Sequence, residues 1–192
     1  METIYDRLSL SEAMQVKGIL KSLVSQIKKW RYPIRELKKL QADIDSIVHE
    51  KIEKQSSCRK GCSYCCYINV DVSHLEAEIL KPFVRDQDMP QLEKQKNLDF
   101  QDFLKLPYED KKCIFLENNQ CRVYNDRPLA CRKYHVISDP ELCNTKNGIS
   151  TTLVAANLLL EMRVNAFHLV FKNNHNLSTQ LLKSCKLQKS QL

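Results

Sequence analysis

The chain has 192 residues, a formal charge of +7 and 43% apolar residues, a size and composition that predict one domain, with or without a helical extension. Only three residues are glycine, which argues against glycine-rich phosphate loops and dinucleotide-binding turns, because those turns need backbone freedom close to a ligand. The apolar content is sufficient for a hydrophobic core, so the nine cysteines are not needed to replace one.

The N-terminal sequence METIYDRLSL lacks the basic stretch and apolar run of a secretory signal. We therefore expect a cytoplasmic protein, in which cysteines bind metal rather than form disulfides. Residues 1–54 are predicted to be helical. Ser9-Leu-Ser-Glu12 has the spacing of a capping box, and Pro33 separates two amphipathic runs. This helical pair is expected to pack on the chain's own core, and contact with a protein partner is the alternative.

The next segment, about 55–67, holds four cysteines within nine residues: Cys58-Arg-Lys-Gly-Cys62-Ser-Tyr-Cys65-Cys66. Thiolates are strong, soft metal ligands, and short spacers let one loop direct several of them at one centre. This density predicts a bound metal or iron–sulfur centre. Basic residues that could donate to the sulfurs lie among the cysteines: Arg59, Lys60, Arg122, Arg127, Arg132 and Lys133. An ordinary solvated surface explains them equally well, and a nucleic-acid-binding surface ranks behind both.

Beyond the loop, residues 68–72 alternate too briefly to predict a strand. Ser73-His-Leu-Glu76 predicts a helix cap with Leu75, Ile79, Leu80 and Phe83 on the inner face. The charged residues 86–110 predict a loop or irregular helix. The segment from Cys113 to Cys121 resembles a hairpin that turns at Asn118-Asn119, and Pro128 suits the first turn of a helix.

Residues 151–172 predict an apolar buried helix. Glu161 and Arg163 near its middle argue against a membrane span. The polar, basic tail after Asn173 is expected to fray. The fold class is therefore mostly α, with a small cysteine-rich metal-binding core of loops and a short hairpin enclosed by helices. The expected organisation is a helical extension over 1–54, a metal-binding domain over 55–150 and a C-terminal helix with tail over 151–192.

The spacing Cys58-x3-Cys62-x2-Cys65 also resembles that of radical-SAM enzymes, but the rest of the chain does not fit them. A helical segment precedes the loop here, no series of strand–helix units follows, and glycine is scarce. Cys66 and the later cysteines would be left without a role. The match is local to the loop.

Taken whole, the pattern resembles the YkgJ-type cysteine-cluster family, whose members are described as zinc- or iron-chelating. The resemblance rests on the Cys58–Cys66 loop, on Cys113-Ile-Phe-Leu and on Cys121-Arg-Val-Tyr-Asn-Asp-Arg-Pro-Leu-Ala-Cys131-Arg. It covers residues 58–135. Flagellin lysine N-methylases carry the same signature, but resemble this chain only through the cysteine domain.

The resemblance implies a ligand pool of seven thiolates: Cys58, Cys62, Cys65, Cys66, Cys113, Cys121 and Cys131. Seven exceed the four that one zinc ion or one cubane cluster requires. One centre with additional nearby thiols and two neighbouring centres both remain open. An iron–sulfur cluster is preferred over Zn²⁺, because adjacent cysteines and basic neighbours suit a bulky anionic cluster. Arg127 is expected to donate to a sulfur or carbonyl near the site, and Tyr124 to support the motif.

The other candidates are assigned less closely. Whether Cys143 is a metal ligand is left undecided, and Cys185 is expected to be an ordinary small core residue rather than a ligand. His135 is expected to be a polar residue rather than a ligand, and His74 to lie in a helix cap.

The leading hypothesis is a metal-binding protein of undefined activity. A cluster-dependent redox or lysine methyl-transfer enzyme is one alternative, and a zinc-knot module that binds RNA or a protein partner is the other. Whether the protein is an enzyme stays undecided.

Overall fold

The structure is a computed structural model that describes residues 9–147, 152–171 and 175–189, and it is mostly helical. Its helices are α1 (Leu10–Lys28), α2 (Pro33–Lys51), α3 (His74–Leu80), α4 (Met89–Gln95), α5 (Phe100–Lys105), α6 (Leu129–Lys133), α7 (Leu158–Val170) and α8 (Leu177–Lys189). Its strands are β1 (Asp71–Val72), β2 (Leu116–Glu117), β3 (Gln120–Cys121) and β4 (His175–Asn176). The predicted fold class is confirmed.

The two N-terminal helices form as the sequence predicts. Ser9 and Glu12 make a reciprocal capping box at the start of α1, and Pro33 occupies the first turn of α2, where its missing N–H costs nothing. α1 packs on α7, and α2 packs on α3 and α6. The prediction that these helices pack on the chain's own core is confirmed.

The apolar interior has two parts. The first, here the helix core, joins α1, α2, α3, α6 and α7; its buried members are Ile27, Leu37, Leu40, Ile44, Val48, Ile52, Leu75, Ile79, Leu129, Ala155, Leu160, Val164, Ala166 and Phe167. The second, here the hairpin core, joins α3, α4, the β2–β3 hairpin and α8; its buried members are Ala77, Leu80, Leu92, Ile114, Phe115, Val123, Leu181 and Leu182. α3 contributes to both cores, so they are continuous through this helix.

Two small antiparallel pairs complete the fold. β2 and β3 form the predicted hairpin, with Leu116 opposite Cys121. Asn118 and Asn119 turn the chain with φ angles of 49° and 57°, the left-handed region that asparagine tolerates well. β1 pairs with β4 across more than a hundred residues, with Asp71 opposite Asn176.

The C-terminal third differs from the sequence-based expectation. The apolar run does not become helical until Leu158, because Asn157 caps α7 by accepting the N–H of Leu160. Before the cap the chain is extended, and Ala155 N donates to His135 O at 2.8 Å. The prediction of a fraying tail is wrong for the described part of it, because Leu181 and Leu182 of α8 are buried in the hairpin core.

One smaller difference concerns the burial of Phe83. Phe83, predicted on an inner helix face, lies in a short 3₁₀ turn after α3 and is 38% exposed. Residues 86–110 form the two short helices α4 and α5 with 3₁₀ turns around them. None of the helices in the described ranges is both long and apolar enough to cross a bilayer.

Candidate metal centre

The first cysteine loop is fixed at its start by hydrogen bonds with the backbone of Val136. Ser57 N donates to Val136 O at 2.8 Å, and Val136 N donates to the Cys58 sulfur at 3.5 Å. Gly61, with φ at 88°, takes the left-handed conformation that the turn from Cys58 to Cys62 requires. The loop is therefore held against the segment that follows Cys131.

The second group of cysteines is joined to the first through the backbone. Cys113 N donates to Cys66 O at 2.8 Å, which places the start of the hairpin beside the end of the loop. Cys121 lies on β3 of the same hairpin, and Cys131 lies in α6. Three separate stretches of sequence thus meet here.

Three of these sulfurs share a local backbone geometry. The N–H two residues further along the chain donates to the sulfur in each case: Tyr64 to Cys62, Phe115 to Cys113, and Val123 to Cys121. A hydrogen bond to the sulfur favours the thiolate, and it lowers the pKa of each of these thiols. Burial of the sulfurs is the larger influence and raises all three, that of Cys113 to about 12.

Cys65 lies within electrostatic reach of six other cysteines. A negative charge on Cys65 raises the pKa of each of them: Cys62, Cys66, Cys113, Cys121, Cys131 and Cys143. The adjacent Cys66 thiol donates a hydrogen bond to Cys65 and lowers its pKa to about 7. We call Cys58, these six and Cys65 the cysteine region.

The cysteine region includes Cys143, which the sequence left undecided. The Cys143 thiol is buried and in hydrogen-bond contact with the side chain of Tyr134, and its pKa is raised chiefly by burial, with smaller effects from charge on Cys58 and Cys62. Spacing gave no signal for this placement, because the approach is made by a 3₁₀ turn over Pro140–Cys143. Cys185 lies in α8, outside the region.

The eight cysteines of the region are unbridged. Nevertheless, among the residues that the structure describes, no three His, Cys, Asp or Glu side chains are arranged so that they could together hold a metal ion. The sulfurs are neighbours in the fold without surrounding a common point. The donor set suits a thiophilic metal or an iron–sulfur cluster, and side-chain rotation is needed to bring the sulfurs into ligand positions.

The basic residues of the motif act on the sulfurs through their charge. Arg122 lowers the pKa of Cys113 and Cys121, and Arg127 lowers that of Cys65 and Cys121. The hydrogen bonds of their guanidinium groups are donated to oxygen atoms. Arg122 Nη2 donates to Asp88 at 2.7 Å, and Arg127 Nη1 donates to Tyr124 O at 2.9 Å. The prediction that Arg127 donates to a carbonyl near the site is confirmed.

Arg132, directly after Cys131, is buried, and all three nitrogens of its guanidinium group donate hydrogen bonds. It donates to Arg127 O at 2.8 Å, to Asn125 O and to Asp45 of α2. Asp45 also accepts from Arg127 at 3.2 Å. One carboxylate of α2 therefore holds Arg127, which lies between Cys121 and Cys131, and Arg132, which follows Cys131.

The remaining candidates have modest roles. His135 Nδ1 lies 3.3 Å from Ser56 Oγ, and its ring is in hydrogen-bond contact with Cys58, where it lowers the pKa of that thiol. His74 begins α3 and meets Phe171 edge-on. Tyr124 is 58% exposed, with the Arg127 guanidinium 3.8 Å from the centre of its ring.

A family model described as "CxxCxxCC: Putative zinc- or iron-chelating domain" matches residues 57–152, which is half of the chain and includes all eight cysteines of the cysteine region. No curated protein and no solved structure matches the chain.

Proposed function

Because the chain belongs to the CxxCxxCC family of zinc- or iron-chelating domains, we propose that it binds an iron–sulfur cluster or Zn²⁺ through cysteine sulfurs. The proposed ligand pool is Cys58, Cys62, Cys65, Cys66, Cys113, Cys121 and Cys131. The unbridged thiols suit a reducing compartment, and we propose the cytoplasm.

One observation carries the proposal: thiols from the loop, the hairpin and α6 lie within electrostatic reach of Cys65. Gathering buried thiols is unfavourable as soon as they ionise, because their negative charges repel and are poorly solvated. A bound cation removes that repulsion and releases the thiol protons. The same sulfurs would therefore be stabilised by the metal they hold.

We favour an iron–sulfur cluster over zinc. Zn²⁺ in a structural site takes four ligands in a compact tetrahedron, whereas the pool exceeds four and contains the adjacent pair Cys65 and Cys66. An iron–sulfur cluster is bulkier and anionic, and the positive charges of Arg59, Arg122 and Arg127 act on sulfurs of the pool. Those charges would stabilise an anionic centre.

The deciding measurement is the metal and acid-labile sulfide content of anaerobically purified protein, together with its visible absorption spectrum. Iron, sulfide and a brown chromophore in constant ratio to protein are expected. Stoichiometric zinc in a colourless protein would contradict the iron–sulfur cluster but would agree with the proposal that the cysteines bind a metal. Absence of both metals after supply of iron, sulfide and zinc would overturn the whole proposal.

The ligand set is tested by Cys62→Ser with Cys185→Ser as the matched control. Serine keeps the shape of the side chain but binds soft metals poorly, so Cys62→Ser is expected to lower both metal content and folded yield. Cys185→Ser, outside the cysteine region, is expected to keep full metal content. Full occupancy in Cys62→Ser would remove this residue from the ligand set.

The alternatives of methyl transfer, redox catalysis and RNA binding stay predictions. The first two require that the centre change oxidation state or bind S-adenosylmethionine. RNA binding requires retention on nucleic acid that weakens as salt rises.

A further inference from the structure

A cleft of about 570 Å³ lies beside the cysteine region and is distinct from it. One wall is apolar and is formed by Leu104, Leu106, Pro107 and the ring of Tyr108. The other residues that line the cleft are polar: Lys111, Thr145 and Lys146. No acidic side chain lines the cleft in the described residues.

Lys111 is the unusual member of this lining. Only 7% of the residue is exposed, yet its ammonium group forms no hydrogen bond or ion pair with any side chain or carbonyl in the described ranges. The other lysines near this cleft are in water or paired: Lys146 is exposed, and Lys94 donates to Asp110 at 2.6 Å. The buried stem holds the Lys111 ammonium group at the cleft, where it reaches solvent, and an anion in the cleft would be its charge partner.

The neighbouring groups complete an anion site. Lys146 supplies a second positive charge at the cleft. The buried Thr145 hydroxyl donates to Tyr67 O at 3.4 Å, which leaves its lone pairs to accept and its O–H free to redirect toward a stronger acceptor. The wall of Leu104, Leu106 and Pro107 suits the apolar part of the same ligand.

We propose that this cleft binds a small organic anion whose charged group meets Lys111 and Lys146 and whose short apolar chain lies along Leu104 and Leu106. A carboxylate and a phosphate monoester share this chemistry. The proposal does not rest on the nature of the metal centre, because none of the lining residues is a cysteine.

The residues that line the cleft are close in sequence to cysteines of the cysteine region or stack on a neighbour of one. Tyr108 stacks on Tyr67 with ring centroids 4.3 Å apart and planes within 7°. Tyr67 follows Cys66, Lys111 precedes Cys113 by two residues, and Thr145 follows Cys143 by two. An anion bound here would therefore lie beside the chain segments that carry Cys66, Cys113 and Cys143.

The test is titration of the full-length, metal-analysed protein with hexanoate, hexyl phosphate, hexanol and inorganic phosphate, followed by methyl NMR of the leucines. Hexanoate or hexyl phosphate is expected to shift the Leu104 and Leu106 methyl signals at a lower concentration than hexanol or inorganic phosphate. Lys111→Met is expected to weaken that binding about tenfold or more. Lys112→Met, which removes the exposed neighbouring lysine, is expected to change it less than about twofold.

A second variant protects the test against a folding failure of Lys111→Met. Lys146 is exposed, so Lys146→Met is expected to fold and to weaken anion binding by a smaller factor than Lys111→Met. The inference is overturned if no anion moves the Leu104 and Leu106 signals, if hexanol binds as well as hexanoate, or if Lys111→Met and Lys112→Met behave alike. Metal content measured on the same samples separates this failure from a failure of the metal centre.

Discussion

Arg132 is a charged side chain enclosed by the fold, with 1% of its surface exposed. Its guanidinium is tolerated because a carboxylate and two carbonyls accept from it. Asp45, which supplies that carboxylate, lies outside the matched family domain and also pairs with Arg127. The turn that carries Cys121 and Cys131 is thus held by a residue of α2.

This arrangement predicts unequal effects for two aspartates of the same helix. Asp45→Asn leaves Arg132 without its anion and is expected to lower the free energy of unfolding by about 1–2 kcal/mol, since Asp45 itself is partly exposed. Asp43→Asn, which removes an exposed pair with Arg163, is expected to cost about 0.5 kcal/mol or less. Urea denaturation measures both, and equal losses would contradict the special role of Asp45.

A second contrast at the residue scale concerns Glu76, because α1 and α3 both begin with a Ser-x-x-Glu capping box. The buried Glu76 accepts from Ser73 N at 2.7 Å, from Ser73 Oγ at 2.9 Å and from Leu129 N at 2.9 Å, which joins α3 to α6. Glu76→Gln replaces one acceptor by a donor and is expected to cost about 1–3 kcal/mol. The exposed equivalent, Glu12→Gln, is expected to change thermal stability little. A similar shift in both melting temperatures would show that the buried link to Leu129 N adds nothing.

At the scale of elements, local chemistry predicted some boundaries well and others poorly. Both capping boxes, the proline start of α2 and the asparagine turn of the hairpin are encoded within a few residues, and each was found where the sequence placed it. The start of α7 was missed because apolar residues suit an extended segment as well as a helix. α8 was missed because its polar composition hid the pair Leu181 and Leu182, whose burial depends on partners distant in sequence.

At the same scale, His168 of α7 is expected to make the free energy of unfolding depend on pH. Burial lowers its pKa from 6.5; Glu76 and Asp71 oppose the shift, and Lys133 adds to it. Lys17 of α1 and His168 line a second cleft, between α1 and α7. A histidine whose pKa is lower when folded stabilises the protein fully above its unfolded pKa, and this contribution is lost as the pH falls below about 6.5.

His168→Gln is therefore expected to flatten the fall in unfolding free energy between about pH 7 and pH 5. Denaturation of wild type and variant in the same buffers measures the difference, and any acid loss of metal is common to both proteins. Parallel pH profiles would show that His168 is not responsible.

At the scale of the whole molecule, the two cores predict an uneven response to metal removal. Cys113 and Cys121 pack against the hairpin core, whereas the buried members of the helix core named above are all aliphatic or aromatic. Repulsion between thiolates in the absence of metal should loosen the hairpin core more than the helix core. After chelation, hydrogen exchange is expected to accelerate most over residues 113–131 and least in α2 and α7. Uniform acceleration would contradict this division.

The overall assembly was the least predictable part from the sequence. The predicted segments 1–54, 55–150 and 151–192 follow composition, and the division into domains stays a prediction. The helix core nevertheless takes residues from all three, including Ile44, Leu75 and Phe167. In the same way, spacing indicated which cysteines could bind metal but not that Cys143 approaches them, because long-range packing decides that position.

The pairing of β1 with β4 has a consequence for biosynthesis. Asp71 meets Asn176 only after the intervening hundred or so residues have left the ribosome. Cys58 through Cys131 emerge well before that contact and before α8 covers the hairpin side. The growing polypeptide thus presents its sulfurs to the surrounding medium for several seconds, at translation speeds of about 5–20 residues per second. A metal or cluster supplied during translation would therefore reach exposed cysteines, whereas one supplied afterwards would have to enter the folded protein.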